Sequence, residues 1–163
     1  MPKDGAMADD DAMPRLDQQL CFTIYSTMHA LGKAYAPLLD GIGLTYPQYL
    51  VMLVLWEADD LTVKDIGERL HLDSGTLTPL LKRLEALGVL HRARDAKDER
   101  QVRIGLTEKG HALRREAKAI PSQIARAMGR PAEDLKSLRK DLRRLRNALL
   151  GKRAKSDAKA SGD

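Results

Sequence analysis

The sequence predicts a mostly α-helical protein carrying one small β-hairpin, and three observations lead there. Apolar residues recur at steps of three or four along most of the chain. Two helical segments between Thr62 and Leu87 are parted by only a short break. Two strand-like runs, Val89 to Arg94 and Gln101 to Leu106, flank the charged link Asp95-Ala96-Lys97-Asp98-Glu99-Arg100. Helix, turn, helix and then a charged hairpin is the order of a winged helix-turn-helix.

The 163 residues suit one domain with a hydrophobic core, expected over 14–150, with a DNA-binding lobe at about 44–106. Tails over 1–13 and 151–163 are expected to be disordered, the second basic through Lys152, Arg153, Lys155 and Lys159. A hydrophobic fraction of 43% with 31% charged residues excludes a disordered or membrane protein. No apolar run reaches the roughly 18 residues of a membrane span, and the Asp-rich start has no signal-peptide core. The expected location is the cytoplasm, with no membrane partner. A net charge of +5 and a pI near 9.4 suit a polyanionic partner. A single cysteine excludes an intrachain disulfide, and His29, His71, His91 and His111 fit no zinc spacing. With no phosphate loop or Ser/His/Asp arrangement, neither a metal, a cofactor nor an enzyme is expected.

In chain order, Pro14 suits a first helical turn, and Leu16, Leu20, Ile24, Met28 and Leu31 form an amphipathic stripe. Cys21 and Tyr25, four apart, share a face beside it. Gly32 is expected to break or bend this helix before Lys33 to Leu39 resumes it, and Asp40 to Gly43 is a turn. Tyr46 to Ala58 is too apolar for a surface helix and should be central and buried. Thr62 to Asp65 reads as a capping box for a helix through Leu70, with Val63, Ile66 and Leu70 inward. His71-Leu72 turns, and Asp73 caps a helix burying Leu77, Leu80, Leu81, Leu84 and Leu87. Pro79 implies that this helix either bends or begins its regular part later. Thr107 caps a long helix to about Met128, kinked at Pro121, with Leu113, Ala117, Ile120 and Ile124 inward. Pro131 opens a last helix whose Leu135, Leu138, Leu142, Leu145 and Leu149 form a seam in need of a partner helix.

A recognition helix in the major groove and a wing at the minor groove assign contacts by residue type. Ser74, Thr76 and Thr78 offer hydroxyls to phosphates or base edges, and Lys82 and Arg83 offer cations to phosphates. Arg94 and Arg100 are the candidates for the narrow minor groove. Asp95, Asp98 and Glu99 would be repelled by phosphate, so Asp98 and its neighbours are read as braces for the wing arginines. The plain alternative is an ordinary charged surface.

Cys21 is read two ways, as a small buried hydrophobe or as a reactive thiol. Reaction with a peroxide needs the thiolate, and no lysine or arginine neighbours Cys21 at helical spacing. Tyrosine hydroxyls are the remaining donors. Tyr25, Tyr35 and Tyr46 all follow within 25 residues, although Tyr35 and Tyr46 equally suit packing.

Leu20-Cys21-Phe22 with Tyr25, the block Leu44 to Glu57, and the block Leu72 to Glu85 together resemble the organic-hydroperoxide-sensing branch of the MarR repressors. Arg94-Asp95, Asp98-Glu99-Arg100 and Leu106-Thr107-Glu108 are similar to the MarR family at large. The likeness covers about Leu16 to Ile120. It implies a homodimer, joined by its N- and C-terminal helices, on a palindromic double-stranded operator. It also implies a Cys21 thiolate contacted by Tyr35 and Tyr46 of the other subunit, with Tyr25 nearby. An organic hydroperoxide would oxidise Cys21 to a sulfenic acid, release the operator and derepress a detoxification gene. Lacking a second cysteine, the chain matches the type in which a low-molecular-weight thiol forms a mixed disulfide, or oxidation proceeds further. The rivals are a MarR-type repressor released by a small phenolic ligand, a one-cysteine peroxidase, and a winged helix that binds only proteins.

Overall fold

A computed structural model describes residues 13–151. Apart from Met13 and Gly151, the two predicted tails lie outside the described residues. Two compact units are formed, one ending at Lys118 and one beginning at Ala119.

In the first unit a short 3-10 turn, Leu16–Gln18, precedes α1, Leu20–Asp40. Helix α2 (Tyr46–Glu57) follows, then strand β1 (Leu61–Thr62), α3 (Val63–Leu70) and α4 (Ser74–Ala86). Strands β2 (Leu90–Arg94) and β3 (Val102–Leu106) lead into α5 (Glu108–Ala117). The second unit holds α6 (Ile120–Ala127) and α7 (Ala132–Leu149). The sheet is antiparallel in the order β1-β3-β2, so the expected hairpin gains a two-residue third strand.

Helix α2 is the centre of its unit. Tyr49, Val51, Met52, Leu55 and Trp56 are all buried, as an all-round apolar helix requires. It packs on α1, α3, α4 and α5. Ile66 of α3, Leu77, Leu81 and Leu84 of α4, and Leu90 and Ile104 of the sheet complete that core. Each such side chain contributes roughly 1.5–3 kcal/mol by leaving water. The single tryptophan is anchored, its Nε1–H donating to the Gly110 carbonyl at 2.9 Å. A Cβ on Gly110 would lie 2.0 Å from the Val89 carbonyl oxygen, so α5 can approach the sheet this closely only with glycine there.

Four expectations need correction. The first helix starts at Leu20, because Arg15 and Gln19 have extended backbones, and it runs unbroken through Gly32. One glycine in a helix interior costs only about 1 kcal/mol against alanine. The predicted long helix to Met128 is two helices parted at Lys118 and Ala119. Pro121 sits in the first turn of α6, where its missing N–H has no partner to lose. Leu87, past the end of α4, is exposed and Leu80 is half-buried, so the buried stripe is narrower than the leucine pattern. Finally, the later start offered for α4 does not occur: the helix is continuous from Ser74 with Pro79 inside it, which leaves the Gly75 carbonyl without its helical donor on an exposed surface.

Candidate nucleic-acid interface and thiol site

The helix-turn-helix is set by two side-chain caps and one left-handed residue. Thr62 accepts from the Asp65 N–H at 3.1 Å, while the Asp65 carboxylate takes the Thr62 N–H and hydroxyl at 3.2 and 2.7 Å. These bonds hold the Asp65 carboxyl below the usual range. At the far end His71 turns the chain with a φ of 56°, and the Leu72 N–H returns to the Gly67 carbonyl at 2.9 Å. Asp73 then caps α4, accepting the Thr76 N–H at 2.8 Å, which lowers its own pKa.

Opposite the buried Leu77, Leu81 and Leu84, α4 presents Gly75, Pro79 and Lys82 at its crest. Thr78, half-buried, and the exposed Arg83 flank it, and Ser74 and Thr76 stand exposed in the first turn. Small groups along a crest with cations beside it allow close approach of a polyanion.

The wing is built on carboxylates. The backbone N–H groups of Lys97 and Asp98 donate to Asp95 Oδ1 at 2.7 and 3.2 Å, closing the turn. Asp98 Oδ1 accepts the Arg100 N–H at 3.1 Å and lies 3.5 Å from Arg100 Nε, while its Oδ2 takes Gln101. Arg94 and Arg100 are exposed, Arg100 almost completely. Two contacts that the sequence reading missed hold the hairpin in place. Arg92 Nε donates to Glu85 Oε2 at 2.7 Å, joining β2 to α4. Arg103 of β3 reaches both Asp60 and Asp95. The alternation Val102, Ile104, Leu106 places Arg103 on the other face of β3, and the Asp59-Asp60 pair after a buried helix was its available partner signal.

On α1, Cys21 lies in the first turn and is exposed. Tyr25, one turn on, packs edge-on against His29 with ring centroids 4.5 Å apart. Tyr35 and Tyr46 meet at 4.7 Å, and Tyr35 lies 6.0 Å from Tyr49, a third member the sequence reading left out. Burial, then the neighbouring Tyr46 and Tyr49, push the Tyr35 phenol up to about 12, and burial also raises Tyr46 and Tyr49. These hydroxyls keep their protons at neutral pH and are hydrogen-bond donors. Fourteen residues of α1 separate Cys21 from Tyr35, about 21 Å of rise. Within one chain the thiol and the Tyr35–Tyr46 pair are therefore apart. Among the described residues no group of His, Cys, Asp or Glu could hold a metal ion.

A capped helix-turn-helix with an open polar crest and a cationic hairpin beside it defines a winged-helix DNA-binding protein. The profile of the SarA/Rot transcriptional regulators matches residues 33–116. The chain is 53% identical to the HTH-type transcriptional regulator TtmR of Methylorubrum extorquens, over 82% of its own length and 69% of that protein's. It is 49% identical to the organic hydroperoxide resistance transcriptional regulator of Bacillus subtilis, over 83% and 92%. Reduced AbfR bound to DNA superposes with a TM-score of 0.68 at 38% identity, covering 83% of this chain and 94% of that one. Overoxidized AbfR bound to DNA gives 0.69 at 37%, over 83% and 95%. This chain belongs to the MarR-type, SarA/Rot-related family of winged-helix transcriptional regulators. Its fold and its class, a DNA-binding regulator rather than an enzyme, agree with the sequence reading, and no described helix is long and apolar enough to cross a membrane.

Proposed function

We propose that the protein is a homodimeric repressor that holds a palindromic double-stranded operator and releases it when an organic hydroperoxide oxidises Cys21. The observation that carries the reading is an accessible thiol on an uncovered apolar helix face. Cys21 stands beside exposed Leu20, Phe22, Tyr25 and Met28, so a second copy covering that face would enclose the sulfur. The relatives support it: one is named for organic hydroperoxide resistance, and AbfR has been solved reduced on DNA and in a disulfide form.

The thiolate attacks the distal peroxide oxygen, the O–O bond breaks, and the alkoxide leaves and takes a proton from water to become the alcohol, as the sulfur becomes a sulfenic acid. A low-molecular-weight thiol then condenses with it, forming a mixed disulfide and water. That bulk at the proposed interface repositions the lobes and misaligns the phosphate contacts of Lys82, Arg83, Arg94 and Arg100, while Ser74, Thr76 and Thr78 lose register with the bases and Asp98 goes on shaping the wing turn. The DNA-bound state of overoxidized AbfR supports the mixed disulfide over further oxidation as the releasing form. Tyr35, about 21 Å along α1 from the thiol of its own chain, and Tyr46 packed against it serve as donors to the thiol of the other.

The test is operator binding before and after an organic hydroperoxide and a small thiol, with Cys21→Ser alongside. Wild type should let go and the variant hold. Equal behaviour of the two would remove Cys21 from the switch. A second reading keeps the repressor and makes a small phenolic compound the inducer. It is favoured by an open, mainly apolar groove of about 550 Å³ lined by Tyr25, Met28, His29, Gly32, Lys33 and Ala36. Induction of Cys21→Ser by a phenol would establish it.

A further inference from the structure

We infer that Arg103 is a positioning residue for DNA binding: tied to Asp60 and Asp95, it fixes the wing to the segment leading into the helix-turn-helix and does not itself hold phosphate. The inference rests on the DNA-binding reading above and adds to it a role for a residue outside the expected contact set.

Arg103 stands opposite Thr62 in the two-residue ladder between β1 and β3. Thr62 is the cap of α3, so this ladder links the wing to the helix-turn-helix. Two residues of pairing make a weak link by themselves, and Arg103 reinforces it. Its Nε and Nη2 donate to the two carboxylate oxygens of Asp60 at 2.8 and 3.0 Å, and Nη2 also donates to the Asp60 carbonyl. Its Nη1 donates to Asp95 Oδ2 at 3.1 Å. All three guanidinium nitrogens are engaged, in the forked geometry that makes arginine–carboxylate pairs strong.

Both partners are fixed. The other oxygen of Asp95 closes the wing turn, and its side chain is only 13% exposed. Asp60 has a left-handed backbone, φ 56°, and its N–H donates to Asp59 Oδ1, which also accepts the Leu106 N–H at 2.9 Å. The loop after α2 is thus fastened to β3 at Arg103 and at Leu106. One cation between two carboxylates leaves this cluster net negative and gives phosphate no free charge. Arg94 and Arg100 keep that task.

The sign of one substitution separates a tether from a phosphate contact. Asp60→Asn removes a negative charge, so long-range attraction alone would tighten DNA binding. Asparagine also tolerates the left-handed backbone, so the turn is kept. Binding of the full chain to its own promoter DNA would be measured over a salt series for wild type, Asp60→Asn, Arg103→Leu, the double variant and Arg94→Ala. Asp60→Asn should bind about three- to fivefold more weakly, the scale of an ion pair whose carboxylate is largely exposed. It should not weaken binding further in the Arg103→Leu background, where only the long-range gain remains. Arg94→Ala should reduce the salt slope by about one. Hydrogen exchange on the free proteins should speed up at Thr62, Lys97, Asp98 and Arg103 in both single tether variants. Equal or tighter binding by Asp60→Asn, or unchanged exchange, would overturn the inference. Failure of wild type to bind the promoter would instead remove the DNA-binding reading, and the exchange measurement would still decide whether the tether exists.

Discussion

Helix α2 and the first half of α1 are both rich in large apolar side chains, yet they end in opposite environments. In α2 the apolar residues run all round and neighbours of the same chain enclose them, leaving Met52 and Val51 with no exposure at all. In α1 only Leu39, near the end, is buried, while Leu20, Tyr25 and Met28 each keep half or more of their surface exposed. The difference teaches that a hydrophobic pattern specifies that a face must be covered, and the rest of the fold decides by what. For α2 the cover is α1, α3, α4 and α5; for the start of α1 it is proposed to be a second copy.

The sharpest way to break this comparison is to truncate both regions. Met52→Ala should cost about 2–5 kcal/mol of stability, since a cavity opens in a packed core. Leu20→Ala with Met28→Ala should leave the lobe itself intact in urea unfolding, but shift sedimentation toward the monomer and weaken the concentration dependence of Tm. A loss from the α1 variants as large and concentration-independent as that from Met52→Ala would place α1 in the core after all. Gly110→Ala should destabilise by about 1–3 kcal/mol, because its Cβ would meet the Val89 carbonyl, and thermal unfolding would show it. Thr62→Ala should cost about 1 kcal/mol through the lost α3 cap, read from the same melts.

The pH dependence sharpens the contrast from the side of charge. The Tyr35, Tyr46 and Tyr49 phenols titrate above their ordinary value of 10.0 in the folded chain. Their contribution to stability is complete below that value and is lost as pH rises through the folded values, near 12 for Tyr35. Asp65 and Asp73 titrate below 3.8, so their contribution is present above it and lost as pH falls through the lowered values. Urea unfolding across the scale should find alkaline loss weakened by Tyr46→Phe and acid loss weakened by Asp73→Ser.

Much of the winged lobe was legible because its signals are local. Thr62 with Asp65, Asp73 before α4 and Thr107 before α5 each cap the helix they precede. The hairpin strands fall within a residue of their expected bounds. What stayed hidden depends on residues distant in sequence. Asp60 and Arg103 are 43 positions apart, and the Asp59-Asp60 pair after α2 hints at a cationic partner without saying which. Strand β1, two residues long, is too short for a period to register. At Pro121 the sequence shows an interruption, but whether the chain kinks or restarts depends on the turn at Lys118 and Ala119. For the thiol, sequence brings Cys21 and Tyr25 together on one face, whereas its relation to Tyr35 and Tyr46 depends on a second chain.

The anchoring of Trp56 to Gly110 makes the molecule its own optical gauge. With one indole in the whole chain, fluorescence reports a single place, the seam between α2 and α5. Cys21 lies at the start of α1, so its oxidation alters no atom in contact with that indole through the sequence nearby. A shift in emission on adding hydroperoxide would therefore time the arrival of a mechanical signal inside the lobe. A steady emission while DNA is released would mean that each lobe travels as a solid piece.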